Sequence, residues 1–162
     1  MEVLILITGG TLDKVHDTQT ESLIFADKAK SRVENILRNG RCDYPRLHIL
    51  MQIDSLEMTD VHRQKILDAI QTAPQSRIVI THGTGTMEQT AKYLDGQAGD
   101  KTVILTGAMR PQSLGKSDAN FNLGGAIIAA QTLPAGVYAV MNGRVIKAQN
   151  VHKDTQAGRF DR

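Results

Sequence analysis

The sequence predicts an α/β domain: an open, mainly parallel sheet with helices on both faces, ending in a β-hairpin. Three observations carry that prediction. Short β-rich apolar runs recur along the chain, helix-periodic stretches lie between most of them, and an Asn-Gly pair separates the last two apolar runs.

The strands are expected at Val3 to Ile7, Leu47 to Met51, Ile78 to Ile80, Val103 to Leu105 and Val137 to Met141. Each is short and, apart from His48, apolar on successive residues, as a strand covered on both faces is. Helices are expected over Asp27 to Arg38, Asp60 to Thr72, Met87 to Leu94 and Asp118 to Thr132, where apolar residues return three and four apart. Thr59, Thr86 and Ser117 with Asp118 are the expected helix caps, Thr86 in a capping-box pattern with Gln89. In "VYAVMNGRVIKA", Asn142-Gly143 fits the two positive-φ positions of a tight hairpin turn. The least patterned stretch, Asp13 to Ser22, reads as a polar loop suited to a mobile lid. No repeat or linker divides the chain, so residues 1–162 are expected to form one domain.

Composition narrows the partners. Nineteen Lys and Arg against seventeen Asp and Glu leave a net charge of +2, with the basic residues scattered, which argues against nucleic acid. No apolar run approaches the roughly 18 to 20 residues of a membrane span, and Glu2 interrupts any basic start of a signal peptide. No membrane association is expected, and a cytoplasmic location is. Cys42 is the only cysteine, which agrees with a reducing compartment. The five histidines show no metal-ligand spacing, so no metal is expected.

In such a sheet ligands bind beyond the carboxyl ends of the strands. There the chain reads "TGGT" at Thr8 to Thr11, "THGTGT" at Thr81 to Thr86 and "TGAMRP" at Thr106 to Pro111. The glycines let backbone N–H groups approach a ligand, as an oxyanion hole or a carboxylate clamp requires. Thr86 has a cap to make, whereas Thr11 and Thr84 have no evident structural task. A threonine hydroxyl is a weak nucleophile, so catalysis calls for a base or a charged neighbour. The bland alternative for both is a turn hydroxyl bonded to backbone. His82 is expected to be packed, and Arg110 and Asp118 structural. Phosphate binding by the glycine loops is the rival chemistry, but Glu88 replaces the last glycine of G-x-G-x-x-G.

Taken in order, "ITGGTLD", "DSLEMTD", "VITHGTGTMEQTA", "VILTGAMRP", "SDANFNLGGA" and "VHKDT" resemble the amino-terminal domain of the bacterial L-asparaginase (asparaginase/glutaminase) family, in a short single-domain form. The resemblance implies an amidohydrolase, without a cofactor, that converts the side-chain amide of a small amino-acid substrate, L-asparagine, to L-aspartate and ammonia. It implies Thr11 as nucleophile, Thr84 and Lys153 as a Thr-Lys relay, and Ser55 as the carboxylate-binding residue. Gly10, Gly83 and Gly85 would line the substrate, with backbone N–H groups near Gly10 and Gly85 stabilising the oxyanion. Family members typically read "HGTDT" where this chain reads "HGTGT", so Gly85 stands in place of an aspartate that grips the substrate ammonium. Weakened asparagine turnover is the implication, and an amino-acid-binding module with little hydrolysis is the alternative. Covering the open mouth would call for a homodimer.

Overall fold

The computed structural model describes residues 2–160. In chain order it contains β1 (Val3–Gly9), β2 (Val15–Asp17), β3 (Ser22–Ile24), α1 (Val33–Asn39), β4 (Arg46–Ile53), α2 (Asp60–Thr72), β5 (Arg77–Thr81), α3 (Met87–Leu94), β6 (Thr102–Thr106), α4 (Ala119–Thr132), β7 (Gly136–Met141), β8 (Arg144–Lys147), β9 (Lys153–Asp154) and β10 (Arg159–Phe160). The main sheet has six strands in the order β4-β1-β5-β6-β7-β8. All neighbours run parallel except β7 and β8.

The unbroken apolar character of the strands follows from this layering. Along β1, Leu4 and Leu6 join α2 and α3 through Ile66, Ile70, Met87 and Leu94. Val3, Ile5 and Ile7 point the other way, into a second core with Val33 of α1 and Leu123 and Ala126 of α4. Alternate residues thus serve opposite cores, and the central strands β1, β5 and β6 bury both faces, while the edge strands β4 and β8 stay partly exposed. Burying one such side chain stabilises by about 1.5 to 3 kcal/mol, so the sheet is a firm platform for loops that contribute little themselves.

The hairpin forms at the expected place. Asn142 and Gly143 have φ of 52° and 75°, and Met141 pairs with Arg144 across a two-residue turn. Two elements depart from expectation. The helix expected over Asp27 to Arg38 is confined to Val33–Asn39. The Asp27 carboxylate accepts from Ala29 N–H and bends the chain, and Ser31 Oγ accepts from Val33 N–H, starting the helix there. The stretch Asp13 to Ser22 is also not a plain loop. β2 and β3 pair antiparallel, Val15 with Ile24 and Asp17 with Ser22, and the Asp17 carboxylate accepts from Gln19 N–H and Thr20 Oγ1 within the turn. No helix of the described residues is long and apolar enough to cross a membrane.

Candidate active site

Strand order explains why distant residues meet. β4, β1 and β5 are adjacent and parallel, so the segments that leave their carboxyl ends emerge side by side. Thr11 opens a single 3-10 turn after β1, Ser55 opens another after β4, and Thr84 lies between β5 and α3. Lys153 joins them from β9, reached only after the β7-β8 hairpin. With Gly10, Asp54, Leu56, Gly83 and Gly85 these residues line one cleft of about 180 Å³. Every residue expected at the site from the sequence therefore belongs to this one cleft. Its size suits a ligand smaller than a drug-sized molecule.

Close backbone approach holds the cleft together. Gly10 has φ of 89°, and a Cβ there would collide with the backbone of His82 and Gly83. At Gly83 a Cβ would strike the side chain of Ser55. Three loops are therefore stacked in direct contact, which only glycine permits at these two places. Gly10 N–H is donated to the Ile53 carbonyl at 3.2 Å, so that group is already spent and is no free oxyanion donor. This corrects the expectation for Gly10 itself, whose part is to let the walls meet.

The hydroxyls differ sharply in their surroundings. Thr84 is buried, and its Oγ1 accepts a hydrogen bond from Lys153 Nζ at 2.8 Å. Ser55 is also buried, while Thr11 is half-buried beside the cleft. Among the described residues, neither the Thr11 hydroxyl nor Ser55 Oγ has a hydrogen-bond partner, so both remain available to a ligand. Thr86 departs from its expected role. Its side chain makes no cap bond at the start of α3 and instead donates to the Ser55 carbonyl at 2.7 Å. It ties the Ser55 turn to the Thr84 loop. By contrast Thr59 does begin α2 in a reciprocal cap, its N–H donating to His62 Nδ1 at 3.0 Å.

Two further features were not legible in the sequence. Lys14 pairs with Asp54, linking the turn after Thr11 to the residue before Ser55, and Lys14 also sits 5.6 Å over the Phe25 ring. The lysine's hydrogen bond holds the Asp54 carboxyl below its ordinary range. The other feature is Leu56, which is 77% exposed yet lines the cleft beside Gly85. Contact between loops far apart in the chain leaves no local sequence signal, so only the strand order could have suggested either.

Behind the Gly83 wall lies a buried hydrogen-bond chain that runs from the Arg63 guanidinium through Thr90 to a neutral His82. His82 Nδ1 donates to the Gly83 carbonyl at 2.7 Å, since a carbonyl can only accept. Nε2 must then accept from Thr90 Oγ1 at 2.8 Å, and Thr90 Oγ1 accepts from Arg63 Nε at 3.1 Å. Burial pushes the imidazole pKa down to about 4. His82 is thus a packed histidine that braces the cleft, as its surroundings in the sequence suggested. Asp13 is another brace. Its carboxylate accepts from Ser31 Oγ, Arg32 N–H and Gln52 Nε2, and burial raises its pKa.

A larger groove of about 560 Å³ lies between α1 and α4, but Ile36, Leu37, Leu123, Ile127 and Ile128 make it chiefly aliphatic, and among the described residues no charged side chain joins Cys42 in lining it. The hydroxyls, the lysine and the glycine loops converge in the smaller cleft instead.

Comparison with known proteins agrees with the fold. The sequence model of the family described as "Asparaginase, N-terminal" matches residues 2–161. L-asparaginase 2 of Escherichia coli K12 is 32% identical over 165 residues, covering 93% of this chain and 46% of that protein. The glutaminase-asparaginase of Acinetobacter glutaminasificans is 30% identical over 164 residues, covering 93% of this chain and 49% of its own length. In three dimensions, the thermostable L-asparaginase from Thermococcus kodakarensis superimposes with a TM-score of 0.81 at 25% identity, over 99% of this chain and 51% of the other. The chain thus spans about half the length of the relatives it matches. By the extent of the family match, this chain belongs to the asparaginase family and corresponds to its amino-terminal domain.

Proposed function

We propose that this protein is an amidohydrolase acting on the side-chain amide of a small amino acid, L-asparagine, through a threonine nucleophile. One observation carries the reading: Lys153 donates to Thr84 in the same cleft where the Thr11 hydroxyl is unengaged. Thr11 Oγ1 attacks the amide carbon, the C–N bond breaks, and the threonine proton leaves with nitrogen as ammonia. Water then attacks the resulting ester, restoring the Thr11 hydroxyl and releasing the carboxylic acid. Thr84, polarised by Lys153, orients the attacking water, and Ser55 Oγ receives the substrate carboxylate. Residues 1–162 act as one unit of this kind, located in the cytoplasm, and a second copy of the chain closes the cleft mouth.

A second reading, an amino-acid-binding module with little hydrolysis, is favoured by Gly85, which offers no carboxylate at the mouth. Ammonia release from asparagine separates the two. The amidohydrolase reading expects release that disappears in Thr11→Ala. Tight L-aspartate binding by calorimetry with no ammonia from the parent protein supports the binding module instead.

A further inference from the structure

The charge inventory of the cleft points to its substrate. Its formally charged lining residues are Lys153 and Asp54. Both oxygens of Asp54 are engaged, Oδ2 by Lys14 Nζ and Oδ1 by Leu56 N–H at 2.9 Å. That carboxylate has a cation already, and it belongs to the latch between two loops. Lys153 adds a positive charge facing Thr84. Among the described residues, an ammonium group entering the cleft would meet one cation and no unspent carboxylate, an arrangement that opposes binding.

The wall next to Thr84 is apolar for a steric reason as well. A Cβ built on Gly85 would come within 2.8 Å of Leu56 Cδ2 and 3.2 Å of Ser55 Oγ. Leu56 therefore occupies the space that any side chain at position 85 would claim. Its methyl groups offer a surface for a CH₂ group and no hydrogen-bond acceptor for an N–H⁺. The cleft retains what an amide bearing a carboxylate needs, namely the Thr11 and Ser55 hydroxyls and a cationic lysine.

We infer that the preferred substrate is the monoamide of a short dicarboxylic acid lacking an α-ammonium group, with Leu56 and Gly85 as the residues that set this preference. The inference rests on the amidohydrolase reading for turnover, though the ligand preference can be read without it.

Two measurements on the full chain test it. The first compares ammonia release from succinamate and from L-asparagine, for the parent, Gly85→Asp and Leu56→Asp. Leaving an ammonium group without an acceptor beside Lys153 costs about tenfold or more, so kcat/KM for succinamate should exceed that for asparagine by about tenfold, and both variants should move the ratio towards asparagine. Leu56→Asp supplies a carboxylate from an exposed position, and so serves even where Gly85→Asp fails to fold. The second measurement is calorimetric binding of succinate against L-aspartate, with succinate expected to bind more tightly. A parent that turns over asparagine as fast as succinamate, or binds L-aspartate as tightly as succinate, overturns the inference. So does a ratio that neither variant moves. Tighter succinate binding with no Thr11-dependent ammonia from either amide overturns the hydrolytic reading and leaves the ligand preference standing.

Discussion

Three loops at one end of the sheet look alike in the sequence, each a threonine and a glycine after an apolar strand, yet they differ in how their polar groups are spent. The loop after β6 turns inward. Thr106 Oγ1 donates to the Val140 carbonyl, Met109 and Arg110 N–H groups both bond the Asp118 carboxylate, and the Arg110 side chain donates to the carbonyls of Gly115 and Leu114. The loops after β1 and β5 leave the Thr11 hydroxyl open and give Thr84 only a lysine. Satisfied groups make a structural corner, and unsatisfied ones make a cleft. A Thr-Gly signature marks a place where backbone can come close; the partner count decides whether it is a site.

The comparison breaks most sharply at Thr11. Removal of its hydroxyl by Thr11→Ala is expected to lower amide hydrolysis by about a thousandfold or more with little change in melting temperature, measured as ammonia release alongside thermal unfolding. Lys153→Met comes next. It leaves Thr84 without its donor and is expected to cost about a hundredfold in kcat, with a smaller effect on KM.

Stability tests sharpen the structural side. His82 in the folded protein titrates near pH 4, below its ordinary value of 6.5. The unfolded chain therefore takes up a proton that the folded one refuses. Stability from this group is complete above pH 6.5 and is lost as the pH falls towards 4, by about 3 kcal/mol in all. Denaturation midpoints at pH 7 and pH 4.5, compared between parent and His82→Gln, should show a shallower acid loss in the variant. The smallest effect is expected at Asp118→Ala. Met109 and Arg110 N–H groups lose their acceptor and Asn122 Nδ2 keeps only the Gly107 carbonyl, costing about 2 kcal/mol by urea denaturation, while turnover per folded molecule is retained. Equal loss of activity in Asp118→Ala and Thr11→Ala would erase the distinction between the loops.

Much of this was legible in the sequence. The central strands are continuous apolar runs whose positions admit one architecture, and Asn142-Gly143 announced its own turn. Thr11 and Thr84 stood out because neither had a local partner to satisfy. What local pattern could not supply was choice among competing partners. Thr86 fits a capping box, but the Ser55 carbonyl is within reach and takes its hydroxyl. Asp27 to Arg38 has helical spacing, but Ser31 is drawn to Asp13 and the helix begins later. Lys153 entered only through the family resemblance, since no rule of spacing returns the chain after β8 to the mouth of β5. Leu56 read as one apolar residue in a turn, and its bearing on Gly85 exists only in three dimensions.

The late arrival of Lys153 has a consequence for biosynthesis. Thr11, Ser55 and Thr84 all leave the ribosome well before it, 69 residues separating the lysine from the threonine it serves. Chains grow at about 5 to 20 residues per second, so a nascent protein already contains Thr11, Asp54, Ser55 and Thr84 for several seconds before Lys153 is made. During that interval Thr84 is without the lysine that donates to it, so the polar set of the cleft is completed only by the segment that follows the β7-β8 hairpin.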